Sequence, residues 1–128
     1  MQHLAILRQP FFDMVLNGEK TIESRWSMKK VAPFNKVLVG DEIYLKETGK
    51  PATAVAIVKK VEYYHLTPEI VEDIRQKFGK QIGTDYFEDW ESTLNKKFVT
   101  LIWLDKVKKI PPKFFPRSHG AGWIVLKK

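Results

Sequence analysis

The chain has no cysteine in its 128 residues. A disulfide framework, a thiolate metal site and a cysteine nucleophile are therefore excluded, and the chain suits a reducing cytoplasm. It also lacks long apolar runs. None approaches the roughly 20 residues that cross a bilayer, and the N-terminus has neither the basic start nor the apolar stretch of a secretory signal. We expect a cytoplasmic protein without membrane association. Gly-x-Gly-x-x-Gly, Walker and Gly-x-Ser-x-Gly patterns are missing too, as is any catalytic-triad spacing. Dinucleotide oxidoreductase, kinase and serine hydrolase readings lose their support with them. His3 and His65 form no ligand spacing with a carboxylate pair, so neither a metal nor another cofactor is expected. No repeat, low-complexity tract or linker interrupts the sequence, and its length suits one domain over residues 1–128.

Acidic residues are scarce in one region. Residues 106–128 hold seven Lys or Arg and no Asp or Glu, whereas residues 69–91 carry seven acids against Arg75, Lys77 and Lys80. The whole chain has a formal charge of +7 and a pI near 9.6. Such segregation allows a basic face that attracts polyanions and an acidic helical region facing elsewhere, although ordinary solubility charge gives the same totals.

The periodicities that are present describe a mainly β chain. Leu4 to Leu7 reads as an apolar strand ending in Arg8-Gln9-Pro10, and Pro10 suits the first turn of a helix pairing Phe11 with Val15 and Phe12 with Leu16. Residues 27–35 read as a loop. Glu42 to Glu47 and the stretch from Ala52 to Val61 form a hairpin around Thr48-Gly49-Lys50-Pro51. Ala52, Ala54 and Ala56 share one face of the return strand and permit the close backbone approach of a small curved barrel. Thr67-Pro68-Glu69 opens a helix with a threonine cap, Pro in the first turn and acid at the positive end of its dipole. Ile70, Ile74 and Phe78 give that helix its apolar stripe. Gly79 and Gly83 punctuate, and residues 84–94 read as a second helix. Phe98 to Leu104 is an apolar strand, broken by Ile110-Pro111-Pro112-Lys113, and Gly122 to Leu126 closes the sheet.

The stretch from Gly18 to Trp26 carries an unusual load for a strand. Alternation places Thr21, Glu23 and Arg25 on one face and Ile22, Ser24 and Trp26 on the other. Lys20 has the opposite parity to Glu23, but it lies where the chain leaves Gly18 and can turn to either side. A solvated, weakly paired surface strand is the plain alternative.

With Gly18, Lys20, Glu23 and Arg25 in the order Gly-x-Lys-x-x-Glu-x-Arg, the sequence resembles the ASCH domains, a family related to the PUA RNA-binding fold. Arg8-Gln9-Pro10, the turn at Val39-Gly40-Asp41-Glu42 and the closing Gly122-Trp123 also resemble that family, over about residues 3–127. The resemblance implies an α+β, mainly β chain, a small PUA-like barrel with flanking helices. It implies a cleft lined by Lys20, Glu23 and Arg25, with Arg8 and Gln9 from the preceding strand end. Ser118 and His119, in the loop before the last strand, are added as ligand-binding candidates, though a lone loop histidine is more often solvated.

Three functions follow as expectations. The first is binding of single-stranded RNA, a nucleotide or a modified nucleoside. The second is hydrolysis, because some small ASCH proteins are amidohydrolases on N4-acetylcytidine and others are described as ribonucleases; Lys20 and Glu23 would then be catalytic. The small deacylases use Lys-x-x-Thr with a distal glutamate, whereas this chain has Glu23 in the place of the threonine. The third is a protein-interaction module of the cointegrator type, with no partner identified.

Overall fold

The computed structural model describes residues 1–83, 93, 95–116 and 121–126. Its elements run β1 (Gln2–Leu7), α1 (Phe11–Leu16), β2 (Ile22–Ser27), β3 (Glu42–Glu47), β4 (Ala52–His65), α2 (Pro68–Ile82), β5 (Phe98–Lys113) and β6 (Trp123–Leu126). The strands form one sheet in the order β2-β5-β4-β3-β1-β6. Only β1 and β3 pair in parallel; the other neighbours are antiparallel. The sheet is curled so far that Arg25 on one edge strand reaches the carbonyl oxygens of Ile6 and Gly122 near the opposite edge. This is the mainly β, barrel-like architecture with two helices that the sequence implies.

Alternation sorts the apolar residues into two layers. Inside the curl, Ala5, Leu7, Ile43, Leu45, Ala54, Ala56, Val58 and Ile102 pack with Phe12 and Val15, so α1 plugs the interior. Ala54 lies opposite Leu45, and Ala56 opposite Ile43. The small side chains leave room for larger partners where curvature draws the strands together. On the outer face, Ile74 and Ile82 of α2 pack on Ile22, Val99 and Leu101. Consecutive residues of β2 therefore serve different layers: Ile22 faces α2, and Glu23 faces the other way.

Helix α2 begins as its sequence predicts, with the Thr67 hydroxyl oxygen accepting the Ile70 N–H and Pro68 in the first turn. It does not stop at Gly79, which lies inside the helix; Gly83 ends it in the left-handed conformation at φ +90°. A Cβ on Gly83 would lie 2.9 Å from Met14 Cε, the movable end of a flexible side chain, so it is the left-handed conformation that calls for glycine there. The helix expected over 84–94 lies outside the described residues except for Thr93.

Two strands outrun their sequence patterns. β4 continues past Val61 to His65, paired along its length with β5. β5 passes through Pro111 and Pro112, because its register against β4 jumps from Ala54 opposite Lys109 to Ala52 opposite Lys113. That irregularity absorbs the residues without N–H groups. β2 pairs no further along β5 than Trp103, so the prolines interrupt no ladder on that side.

Candidate functional site

Lys20 leaves α1 and enters β2 through a narrow passage between the helices. Its backbone N–H donates to Met14 O, and the next N–H, of Thr21, donates to Gln81 O. The side chain then turns toward Glu23, resolving the ambiguity of its parity. Lys20 Nζ donates to Ile82 O at 2.5 Å and Ile22 O at 2.8 Å, and lies 3.4 Å from Glu23 Oε1. Ile82 is the last residue of α2. The ammonium thus sits at the negative end of the helix dipole and supplies a donor to a carbonyl lacking an intrahelical partner.

Glu23 is the centre of the cluster. One oxygen, Oε1, faces Lys20 and accepts the Ser24 N–H at 3.0 Å; Oε2 accepts from Arg25 Nη2 at 3.1 Å. Arg25 also donates from Nη1 to Gly122 O and from Nη2 to Ile6 O, each at 3.0 Å. The Ile6 N–H donates to that same Gly122 oxygen. A guanidinium fork suits this task, since a planar array of donors can bridge several oxygens at once. Arg25 therefore ties β2 to the far side of the curled sheet. Gly122 has no Cβ at the point of approach; one added there would stand 2.8 Å from Arg25 Nη1.

The polar chain continues beyond Arg25, whose Cζ lies 5.4 Å from the Trp123 ring centroid. Trp123 Nε1 donates to His3 Nδ1 at 3.2 Å, so the His3 proton belongs on Nε2, which lies 2.8 Å from Asp41 Oδ2. His3 and Asp41 are buried. Sequence reasoning named Trp123 and the Asp41 turn as family features without giving either a role, and no local pattern links residues so far apart in the chain. The Ile82 carbonyl escaped notice because backbone groups leave no mark in a motif.

Only 3% of Lys20 and 5% of Glu23 are exposed, which sets their electrostatics. Burial pulls the Lys20 ammonium below its usual value, and the Glu23 carboxylate opposes that pull without overcoming it. For Glu23, burial pushes upward, but Lys20, Arg25 and the hydrogen bonds hold the carboxyl below its usual range. Each buried charge is compensated by an adjacent partner, the condition under which such charges are tolerated.

The remaining candidates divide. Arg8 and Gln9 are exposed where β1 gives way to α1. Gln9 Oε1 accepts the Asp13 N–H, while Nε2 donates to Asp13 Oδ1 and, at 2.7 Å, to Glu47 Oε1. Arg8 Cζ lies 5.5 Å from the Phe11 ring centroid, and Lys20 Nζ is at the same distance from that ring. One phenyl group thus separates the exposed rim from the buried cluster. Ser118 and His119 lie outside the described residues. Among the described residues, no three His, Asp or Glu gather as metal ligands, and no helix is long and apolar enough to cross a membrane.

No curated protein matches the chain closely enough to count as a relative. Among solved structures, ASCH from Zymomonas mobilis aligns with a TM-score of 0.66 at 18% identity, covering 99% of this chain and 88% of that one. A mutant of the same Zymomonas mobilis protein gives 0.66 at 18%, covering 99% and 91%. The hypothetical protein PH0355 aligns at 0.51 and 19%, covering 86% of this chain and 100% of the other. These likenesses show a shared fold, in keeping with a PUA-like barrel. Comparison with known families matches residues 6–102 to the ASCH domain. That span contains the entire Gly18–Arg25 motif together with Arg8-Gln9-Pro10, and the chain belongs to the ASCH domain family.

Proposed function

We propose that this protein is a cytoplasmic binding module for single-stranded RNA or a nucleotide. Its ligand meets the rim formed by Arg8, Gln9 and the partly exposed edge of Arg25. Lys20 and Glu23 act behind that rim, holding the guanidinium in place. The observation that carries binding over hydrolysis is the state of Lys20: two carbonyl oxygens and a carboxylate already engage an ammonium group that is 3% exposed. The net charge of +7 supports a polyanionic ligand. Titration of a short labelled RNA tests the reading. Arg8→Ala should weaken binding severalfold and lessen its salt dependence, because fewer counterions are released. Unchanged affinity in Arg8→Ala would overturn the rim assignment.

One observation favours a hydrolytic reading in second place. Burial lowers the Lys20 pKa, which brings a neutral amine nearer to working pH. Such an amine can take a proton from water attacking the acetyl carbonyl of N4-acetylcytidine, releasing acetate and cytidine. Chromatography of that reaction discriminates the two readings. Turnover that rises with pH and vanishes in Lys20→Ala supports the enzyme; no turnover alongside measurable RNA binding supports the module.

A further inference from the structure

A groove of about 370 Å³ opens on the outer face of the sheet, away from the Lys20–Glu23–Arg25 cluster. Pairing in parallel register sets Leu4 beside Tyr44 and Ile6 beside Lys46, and Leu4 and Ile6 line the groove. After β5, residues 114–116 form the facing wall, where Phe115 packs on Tyr44 with ring centroids 5.3 Å apart. Phe114 also lines the groove yet is 79% exposed, an unusual state for a large apolar side chain. The β3–β4 turn contributes Lys50 and Pro51.

The rim is cationic. Lys46 makes no ion pair among the described residues, and Lys50 meets only Glu47, at 3.2 Å. Lys113 stands just outside, its Nζ 4.7 Å from the Tyr44 ring centroid and 5.6 Å from that of Phe115. A slot with an apolar floor, an uncovered phenyl ring and several lysines suits a ligand combining a flat ring with a negative charge. Aromatic platforms beside cationic grooves are the means by which single-stranded nucleic acids are held without base-pair readout. The volume is at the lower end for ligand pockets, on the order of 300–1,000 Å³, which favours one nucleotide unit over a folded partner.

We propose that this groove is a nucleotide subsite that takes one base–phosphate unit of a single-stranded nucleic acid. The base lies against Phe114 over Ile6, with the buried Leu4 beneath, and the phosphate meets Lys46 and Lys50. Ile6 connects the two regions: its side chain lines the groove while its carbonyl oxygen accepts from Arg25. A strand bound at the Arg8 rim and continuing across the end of β1 reaches the groove, but the groove's chemistry stands without that rim.

Fluorescence anisotropy with labelled hexauridylate tests the subsite, using wild type, Phe114→Ala, Lys46→Ala and Arg8→Ala, with circular dichroism as the folding control. Phe114→Ala should weaken binding about tenfold, the loss of one stacked base. Lys46→Ala should lower the slope of log affinity against log salt by about 0.7, one phosphate's worth for a single strand. Uridine monophosphate should compete more weakly than unlabelled hexauridylate if the source is a strand, and equally well if it is a free nucleotide. Full affinity in Phe114→Ala and Lys46→Ala with loss in Arg8→Ala overturns the subsite and leaves the rim. Loss in the two groove variants with none in Arg8→Ala supports the subsite and overturns the rim. Equal competition by hexaglutamate reduces the groove to a nonspecific cationic patch, and no binding by the wild type overturns both assignments.

Discussion

Lys20 lies just before β2 and Lys46 within β3 of the same sheet, and the fold uses them oppositely. Lys20 is enclosed by two carbonyl oxygens and a carboxylate at the end of a helix. Lys46 sits at the margin of an open groove without an ion pair among the described residues. The buried lysine has a lowered pKa and belongs to the architecture; the marginal one keeps its donors available to an incoming anion. A basic motif therefore does not by itself locate a binding surface. Desolvation and saturation of its hydrogen bonds decide whether a cation holds the protein together or meets a ligand.

The largest break in that contrast should come from Glu23. Glu23→Leu leaves Lys20 and Arg25 without their shared carboxylate, and breaking a buried pair in this way costs roughly 3–5 kcal/mol. Urea denaturation measures the loss; a change below about 1 kcal/mol would mean the cluster is not a structural tie. Arg25→Lys retains the charge but cannot reach both carbonyl oxygens and Glu23 with a planar fork. It should cost about 2 kcal/mol, read from the same urea curves.

Gly122→Ala is next, expected to cost about 1–2 kcal/mol through crowding of Arg25 Nη1, by the same denaturation experiment. Arg25→Ala should relieve the crowding, so the double variant should lose less than the sum of the two single losses. At the far end of the comparison, Lys50→Ala should stay within about 0.5 kcal/mol of wild type, because its pair with Glu47 is a solvent-exposed one. A loss as large as that of Glu23→Leu would erase the distinction between the two regions.

Acid titration sharpens the same contrast. The folded Glu23 carboxyl titrates below its ordinary value of 4.5, so its stabilising contribution is present above that pH and fades as pH falls through the depressed folded value. Lys20 acts in the same sense, stability rising with pH, but at the alkaline end of the scale. Its folded value lies below 10.5, so the cost of keeping it charged is felt at neutral pH and relieved as pH rises through the window between folded and unfolded values. Urea midpoints should fall from neutral toward acidic pH more steeply in wild type than in Glu23→Gln. Parallel curves would show that other groups govern the acid limb.

Much of this molecule was legible in order of residues. Alternation marked β3, the beginning of β4 and the apolar start of β5, and Thr67-Pro68-Glu69 marked the start of α2, because these signals act over a few neighbouring residues. The spacing of Gly18, Lys20, Glu23 and Arg25 marked the family and the cluster. Alternation also placed Glu23 and Arg25 on one face of β2. The reach of α2 past Gly79 and the passage of β5 through Pro111 and Pro112 were not legible, because packing on β2 and β5 and a shift of register outweighed local preference.

The sequence by itself determined a mainly β chain, an excess of positive charge and a motif whose charged members lie close along the backbone. Tertiary structure alone decided what those members do. Curling the sheet brings Gly122 and Ile6 to Arg25, and the end of α2 brings the Ile82 carbonyl to Lys20. The same curling carries residues 114–116 across β1 and β3 to form the groove. Local periodicity can state which face a side chain takes. Whether that face meets water, a carbonyl oxygen or another strand depends on segments separated by most of the chain, and that meeting sets the free energy of every charge in the cluster.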